Sequence, residues 1–200
     1  MPRPNREYKK GNPHRDSRLF VIVAEGERED KYFAQFNQLN SRIRVLTIQR
    51  EQDASAPKHF IERLTKAKEL GEYAGEKGDT VWFVCDTDRW RSQLNELKTE
   101  CDQNTNWNLA ISNPCFKVWL HFHSGPLPTE MVNCSALKAG LPRTLLGEFN
   151  AKKYCQLMET AIGHATAADE QPDGDFPQKM QTKVYRLAKS MRQMLGNNWQ

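Results

Sequence analysis

The sequence predicts an α/β protein built on a parallel sheet of about four strands, flanked by helices and followed by a helical C-terminal extension. Three observations lead to this prediction. Short apolar runs rich in β-formers recur along the chain, segments with helical spacing of apolar residues separate them, and two of the runs end abruptly on acidic residues. Strands that alternate with helices form parallel, right-handed sheets that are covered on both faces.

The first half of the chain predicts three strands and two helices. Residues 19–24 and 80–85 are continuous apolar runs, typical of strands buried on both faces, and residues 42–49 alternate in polarity. Residues 28–40 and 57–71 carry apolar side chains at helical spacing, and the second segment ends at a glycine.

The second half is expected to add one strand and several helices. A polar helix is expected near residues 90–101, and residues 108–112 predict a fourth strand. Asn113-Pro114 should start the next helix, because proline in a first turn lacks only an N–H that would be unpaired anyway. Further helices are expected near residues 150–167 and 178–195.

The chain divides into a basic N-terminal arm (residues 1–17), a core (18–125) and a helical extension packed on the core (126–200). Residues 1–18 hold six basic and two acidic side chains, so they carry the whole net charge of +4. Such an arm either contacts phosphates or only solubilises the terminus.

The composition is that of an ordinary soluble protein, with 38% hydrophobic and 27% charged residues. No apolar run approaches the roughly 20 residues that a membrane helix needs, and the N-terminal residues lack an apolar signal segment. Five cysteines are scattered singly without zinc-site spacing, so we expect free thiols in a reducing compartment. These features predict a cytoplasmic protein without membrane contact.

Acidic residues stand where two of the apolar strands end. Glu25 directly follows residues 19–24, Asp86 follows residues 80–85, and Asp88 lies two positions further on. Because parallel sheets place their sites outside the carboxyl ends of the strands, we expect these three acids to share one crevice. Oxygen ligands without histidine or cysteine suit Mg²⁺ or Mn²⁺. Each acid alone could equally cap a helix or form a turn.

Three further acids, Glu27, Glu29 and Asp30, are expected in the first turn of the next helix, where the helix dipole favours them.

Basic residues near the C-terminus form a second candidate surface. Lys179, Lys183 and Arg186 recur at spacings of four and three, which predicts a basic stripe on an amphipathic helix. Such a stripe is either a solvated face or a guide for a nucleic acid backbone. Arg89, next to Asp88, is another candidate nucleic acid contact.

Four segments together carry a family resemblance: VIVAEGEREDKYFAQF, VWFVCDTD, ISNPCFKVWLHFH and TKVYRLAKSM. The first two resemble the Toprim domain of topoisomerases, primases and overcoming-lysogenization-type nucleases. All four, over most of residues 18–190, more closely resemble the RloB-like family of bacterial Toprim proteins.

The resemblance implies a divalent-metal-dependent nuclease. Glu25 would be a metal ligand or a general acid/base, and Asp86 and Asp88 would hold Mg²⁺ or Mn²⁺. Gly26 would permit the tight turn into the following helix. The resemblance also implies an antiviral role in abortive infection, beside an ABC-type ATPase that controls the nuclease.

The third family motif is matched by Ser112, Asn113, Phe116 and Trp119. We expect Phe116 and Trp119 to be core residues, whereas Ser112 or Asn113 could cap the helix. His121 and His123, just downstream, are expected to be structural.

Lys117 departs from the family pattern, which has glutamate there. A lysine brings a positive charge and cannot replace a carboxylate on a hard cation. Either Lys117 contacts a phosphate and acts in catalysis, or the family's acid is dispensable, or this member is catalytically altered.

Three functions therefore remain open from the sequence. The first is a nuclease that cuts DNA or RNA, including transfer RNA. The second is a Toprim module that binds nucleic acid or a partner protein without cleavage. The third is a phosphatase of the haloacid-dehalogenase type, although the D-x-D of those enzymes follows their first strand and here follows the third. A homodimer is compatible with each of the three.

Overall fold

The computed structural model describes residues 17–38, 41–49, 56–76, 78–87, 91–144 and 149–195. Nearly all of the expected basic arm lies outside these residues, as do Asp88 and Arg89. Within the described ranges, no helix is long and apolar enough to cross a bilayer.

A five-stranded sheet forms the centre of the molecule. β1 (Arg18–Ala24), β2 (Ile43–Thr47), β3 (Thr80–Asp86) and β4 (Trp107–Asn113) run parallel in the spatial order β2-β1-β3-β4. The short β5 (Gln181–Thr182) pairs antiparallel with β4 at the edge. The predicted α/β class and the four parallel strands are confirmed. β5 gave no signal in the sequence, because two residues are too few to show a periodicity.

Helices cover both faces of this sheet. In the described part of the chain they are α1 (Glu27–Ala34), α2 (Phe60–Glu69), α3 (Arg91–Gln103), α4 (Lys117–Phe122), α5 (Cys134–Thr144), α6 (Ala151–Gln156), α7 (Met158–Ala168) and α8 (Val184–Leu195).

Two helix predictions are corrected, and one helix had no prediction. Pro114 follows a cis peptide bond and α4 begins only at Lys117, so the expected helix start at Asn113-Pro114 is wrong. α8 begins at Val184 and not near residue 178, because a turn and β5 occupy the preceding residues. α5 was not predicted, since Gly140 and Pro142 in its interior indicate a break.

Two apolar clusters lie on opposite faces of the sheet. Phe20 and Ile22 of β1 join the cluster that includes residues of α1, α4, α7 and α8, whereas Val21 and Val23 join the one beneath α2 and α3. This alternation follows from the pleat of a strand. The first cluster also contains Met191, so the C-terminal helices share a core with the sheet.

Buried Arg63 of α2 fixes the carboxyl ends of β1 and β2. Its guanidinium donates to the carbonyl oxygen of Ala24 at 2.9 Å and to that of Ile48 at 2.5 Å. Carbonyl groups at strand ends would otherwise lack partners in the sheet. The charged side chain thereby holds the backbone immediately before Glu25.

Cys115 and Cys134 form a disulfide between the segment before α4 and the start of α5. The expectation of free thiols is therefore wrong for this pair, which lies 19 residues apart in the chain and is brought together by the packing of α4 against α5. Cys85, Cys101 and Cys155 are free and buried.

Candidate active site

Glu25 and Asp86 meet at the carboxyl ends of two neighbouring strands. β1 and β3 pair in parallel with Ala24 opposite Val84, so Glu25, directly after β1, lies at nearly the same height as Asp86, the last residue of β3. The backbone N–H of Asp86 donates to Oε2 of Glu25 at 3.1 Å. The chain crosses from β1 to β2 on one side and to β3 on the other, so this crevice is the switch point where α/β proteins bind ligands.

The carboxylate of Asp86 is held from the other side by the start of α4. Its Oδ1 accepts a hydrogen bond from the backbone N–H of Phe116 at 2.8 Å. Thr87 donates its N–H to the carbonyl oxygen of Ser112, which keeps the end of β3 beside β4. Both acids are half-buried and are oriented by backbone groups of rigid elements, as a preorganised site requires.

Glu29 is a third acid at this site. It lies in the first turn of α1, as do Glu27 and Asp30, which confirms their expected position. Its side chain is nevertheless buried and lines a cavity beside the strand ends. Burial is the largest cause that raises the pKa of Glu29, and the negative charge of Glu25 raises it further, whereas Lys117 and the backbone N–H of Glu29 oppose the change.

Position 26 needs a glycine because a neighbouring side chain leaves no room for a Cβ atom, and not because of its backbone angles. Its φ of −139° and ψ of 160° are extended values that any residue adopts, so the expected role of glycine in a tight turn is wrong. A Cβ atom at this position would lie 2.6 Å from Oε2 of Glu29. The missing side chain therefore leaves room for the buried carboxylate.

Lys117 is the first residue of α4 and faces the same cavity. Its Nζ lies 3.3 Å from Sγ of Cys134 and 4.0 Å from Sγ of Cys115. The disulfide packs against the half-buried lysine side chain, which leads toward Glu29. Lys117 thus lies beside an acid from a different element.

The cavity beside these residues has a volume of about 620 Å³. Arg28 and Glu29 of α1, Lys117 of α4 and Lys138 of α5 line its wall. Phe149, two residues before α6, lines it as well. Pockets for small ligands occupy roughly 300–1,000 Å³, so this one holds a ligand of moderate size.

The sequence profile described as RloB-like protein matches residues 20–191. The chain belongs to the RloB-like family. The match extends from β1 into α8 and so includes both acidic strand ends and the C-terminal helices. Neither a curated protein nor a solved structure shows significant similarity to the chain.

This RloB-like protein does not carry the basic stripe expected near its C-terminus. Lys183 precedes α8 and is fully buried, with its Nζ 2.5 Å from Oδ2 of Asp169 and 2.6 Å from the carbonyl oxygen of Gln171. Arg186 binds Oδ1 of Asp175 at 3.0 Å and carbonyl oxygens of the same loop. The stripe is therefore wrong, since only Lys179 of the three is exposed.

The third family motif of this RloB-like protein is mainly structural. Phe116 and Trp119 are buried in the core, as expected. Ser112 and Asn113 do not cap α4: Oγ of Ser112 lies 2.8 Å from Oγ1 of Thr182, and Nδ2 of Asn113 donates to the carbonyl oxygen of Pro177. Both side chains attach the C-terminal segment to the sheet edge.

The two histidines are buried and structural, as the sequence analysis expected. Nδ1 of His123 donates to the carbonyl oxygen of Trp119 at 2.9 Å, so Nε2 accepts from the Tyr32 hydroxyl at 3.0 Å. Burial lowers the pKa of His123 to about 3, which keeps the ring neutral. Nε2 of His121 donates to the carbonyl oxygen of Leu137.

The donor set at the strand ends suits a hard cation only in part. Carboxylate oxygens such as those of Glu25 and Asp86 are the ligands that Mg²⁺ and Mn²⁺ prefer. Among the described residues, however, no three acidic, histidine or cysteine side chains converge closely enough to hold a metal ion. Asp88, the third expected ligand, lies outside those residues and stays a prediction.

Sequence reasoning missed the groups that belong to the cavity wall. Glu29 was assigned to the helix dipole alone, and Arg28, Lys138 and Phe149 had no motif. The one available signal was the spacing of Glu29, four residues after Glu25, which places it one helical turn beyond the strand end.

Proposed function

We propose that this RloB-like protein is a Toprim-type nuclease that hydrolyses phosphodiester bonds of DNA or RNA with Mg²⁺ or Mn²⁺. The observation that supports the proposal best is the meeting of Glu25 and Asp86 at the switch point of the sheet, where the Asp86 N–H binds the Glu25 carboxylate. Two acids that lie 61 positions apart in the chain thus share one crevice, as ligands of a common cation must.

Glu25, Asp86 and Asp88 would hold the cation. When bound, it would polarise the phosphodiester and acidify a water molecule. The bonds from Arg63 to the end of β1 and from the Phe116 N–H to Asp86 keep the two described carboxylates in place. Lys117 would contact a substrate phosphate, because this residue lines the adjoining cavity and carries a positive charge.

The biological setting comes from the family resemblance. We propose that the nuclease acts in the cytoplasm as the effector of an anti-phage defence system and that an ABC-type ATPase restrains or triggers it. The substrate, including transfer RNA, is to be found by experiment, since contacts to phosphates do not distinguish one nucleic acid from another.

The decisive experiment compares the wild type with Glu25→Gln. Plasmid DNA and total RNA are incubated with each protein, with Mn²⁺ or with EDTA, in the presence and absence of the ATPase partner. We expect cleavage that requires Mn²⁺ and is lost in Glu25→Gln. Glu69→Gln, which changes an exposed glutamate of α2, is the matched control and should cut normally.

If the isolated protein does not cleave nucleic acid, the metal site is tested directly by measuring Mn²⁺ binding with electron paramagnetic resonance. The proposal predicts a bound Mn²⁺ in the wild type and in Glu69→Gln, with a much weaker site in Glu25→Gln. Equal Mn²⁺ binding by all three proteins would reject the metal site.

The second candidate function is a catalytically altered Toprim module that binds nucleic acid or a partner without cleavage. Lys117 favours it, because a positive charge stands where the family has a carboxylate. This function predicts binding of nucleic acid without cleavage under every condition above, and no change in binding on removal of Mn²⁺.

A further inference from the structure

The cavity beside the acidic strand ends has a chemical character of its own. Four cations line it, and besides Lys31 these are Arg28, Lys117 and Lys138, which accompany the buried carboxyl group of Glu29. Glu27 and Lys31, also on its wall, pair with each other at 3.3 Å. The wall therefore carries an excess of positive charge, which favours an anionic ligand.

Neither Lys117 nor Lys138 forms an ion pair within the described part of the chain. No carboxylate of the residues described here lies within 4.0 Å of the Nζ atoms of Lys117 or Lys138. Lys117 comes from α4 and Lys138 from α5, which pack together, and the Cys115–Cys134 disulfide links the segment before α4 to the start of α5. Two ammonium groups held by packed helices on one cavity wall suit a phosphate group.

A planar platform lies on the same wall. The guanidinium of Arg28 stands over the ring of Phe149, 5.4 Å from its centroid. Phe149 in turn rests against Tyr154, with ring centroids 5.3 Å apart. Nucleobases stack on aromatic rings and on guanidinium planes, so this wall suits a base where the lysines suit a phosphate.

We propose that the cavity binds one nucleotide of a single-stranded nucleic acid, with a phosphate at Lys117 and Lys138 and the base against Arg28 and Phe149. This subsite rests on the proposed nuclease function, since it would place the neighbouring phosphodiester beside Glu25 and Asp86. The volume of about 620 Å³ accepts one nucleotide, whereas a base-paired nucleotide carries its partner strand and cannot enter.

Binding is measured by fluorescence anisotropy with six-nucleotide strands of oligothymidine and oligouridine. EDTA is present throughout, so no metal and no cleavage are needed. Competitors are a duplex that contains the same strand and the free mononucleotides. We expect the single strands to bind and the free mononucleotides to compete with them, because a mononucleotide carries both groups that the subsite recognises, whereas the duplex should compete at least tenfold more weakly than unlabelled single strand.

The variants separate the two halves of the subsite. Lys117→Gln combined with Lys138→Gln should weaken binding at least tenfold and reduce the slope of log affinity against log salt by about 0.7, because one phosphate of a single strand loses its contact. Phe149→Ala should weaken binding by about 5-fold or more, with the salt slope unchanged.

Arg28→Lys tests the base-binding half independently, in case Phe149→Ala does not fold. The lysine keeps the charge of Arg28 but lacks its planar group, so this variant should bind the strands more weakly with an unchanged salt slope. Lys68→Gln, an exposed lysine of α2 on the opposite face of the sheet, is the matched control and should change binding less than twofold.

Three results would overturn the inference. They are duplex competition equal to that of the single strand, no competition by the free mononucleotides, and a salt slope that the double lysine variant leaves unchanged. Failure of the nuclease proposal looks different, because the strands would still bind in EDTA and depend on the cavity residues while no cleavage occurred with Mn²⁺.

Discussion

The backbone N–H of Asp86 donates to Oε2 of Glu25 at 3.1 Å, and this bond joins the ends of the two central strands. The same aspartate accepts the N–H of Phe116 through Oδ1 at 2.8 Å. Asp86 therefore organises three elements at once: β1 through Glu25, β3 through its own backbone, and α4 through its carboxylate. Its charge and its hydrogen bonds can be tested separately.

Asp86→Asn removes the charge and keeps an oxygen that can accept the Phe116 N–H. We expect the free energy of unfolding to change little, while metal-dependent cleavage and Mn²⁺ affinity each fall by at least about 100-fold. Asp86→Ala, in contrast, also loses the acceptor and should cost about 1–3 kcal/mol of stability. Urea unfolding beside the cleavage assay measures both effects, and an active Asp86→Asn variant would exclude Asp86 from the metal site.

Glu29 should make the stability of the protein depend on pH. Its pKa is raised in the folded state, chiefly by burial and then by Glu25, so the folded protein holds the proton to higher pH than the unfolded chain. Stability contributed by the protonated form is complete below the unfolded pKa, about 4.3, and is lost as the pH rises through the raised value.

Glu29→Gln should remove this loss. We expect the variant to gain stability relative to the wild type as the pH rises from 4 to 8, by about 1.4 kcal/mol for each unit of pKa elevation. Urea unfolding at several pH values measures the difference. The stability of the exposed control Glu69→Gln should depend on pH as that of the wild type does. The same pH dependence in Glu29→Gln would contradict the buried position of Glu29.

Gly26→Ala should act through Glu29. The backbone of Gly26 tolerates alanine, but the new Cβ would lie 2.6 Å from Oε2 of Glu29 and must displace it. We expect roughly tenfold lower cleavage with a change in stability below about 1 kcal/mol. The check is a double-mutant cycle with Glu29→Ala, in which alanine at position 26 should have little further effect. Additive losses would show that the two residues are not coupled.

Lys183 should be needed for folding and not for binding nucleic acid. Burial raises the pKa of Asp169, but hydrogen bonds from Lys183 and Tyr185 outweigh it, so the pKa stays below its usual range and the pair is charged. Lys183→Met should cost about 3–5 kcal/mol, because it leaves a buried carboxylate without its cation.

Exposed Lys179→Met is the control for Lys183 and should leave the unfolding midpoint unchanged. Binding of the single strands by Lys183→Met is measured below its unfolding temperature. A variant that is as stable as the wild type but binds the strands more weakly would refute the structural role.

The sequence alone determined the parallel sheet and the positions of Glu25 and Asp86. Continuous apolar runs such as residues 19–24 and 80–85 are typical of strands in a doubly covered sheet, and an acid that directly follows such a run lies at its carboxyl end. Local pattern also placed Phe116 and Trp119 in the core, and it indicated a structural role for His121 and His123, which the structure shows to be buried.

Only the tertiary structure decided which charged residues face the crevice and which are buried elsewhere. The spacing of Lys183 and Arg186 indicates a solvated stripe. In the structure Lys183 pairs with Asp169 and Arg186 pairs with Asp175, both in the segment that follows α7. In the sequence, Glu29 has the pattern of an ordinary acid in the first turn of a helix. In the structure it is buried, because the missing side chain of Gly26 leaves room for its carboxylate. Burial and ion pairing depend on residues distant in the chain, and no local pattern carries that information.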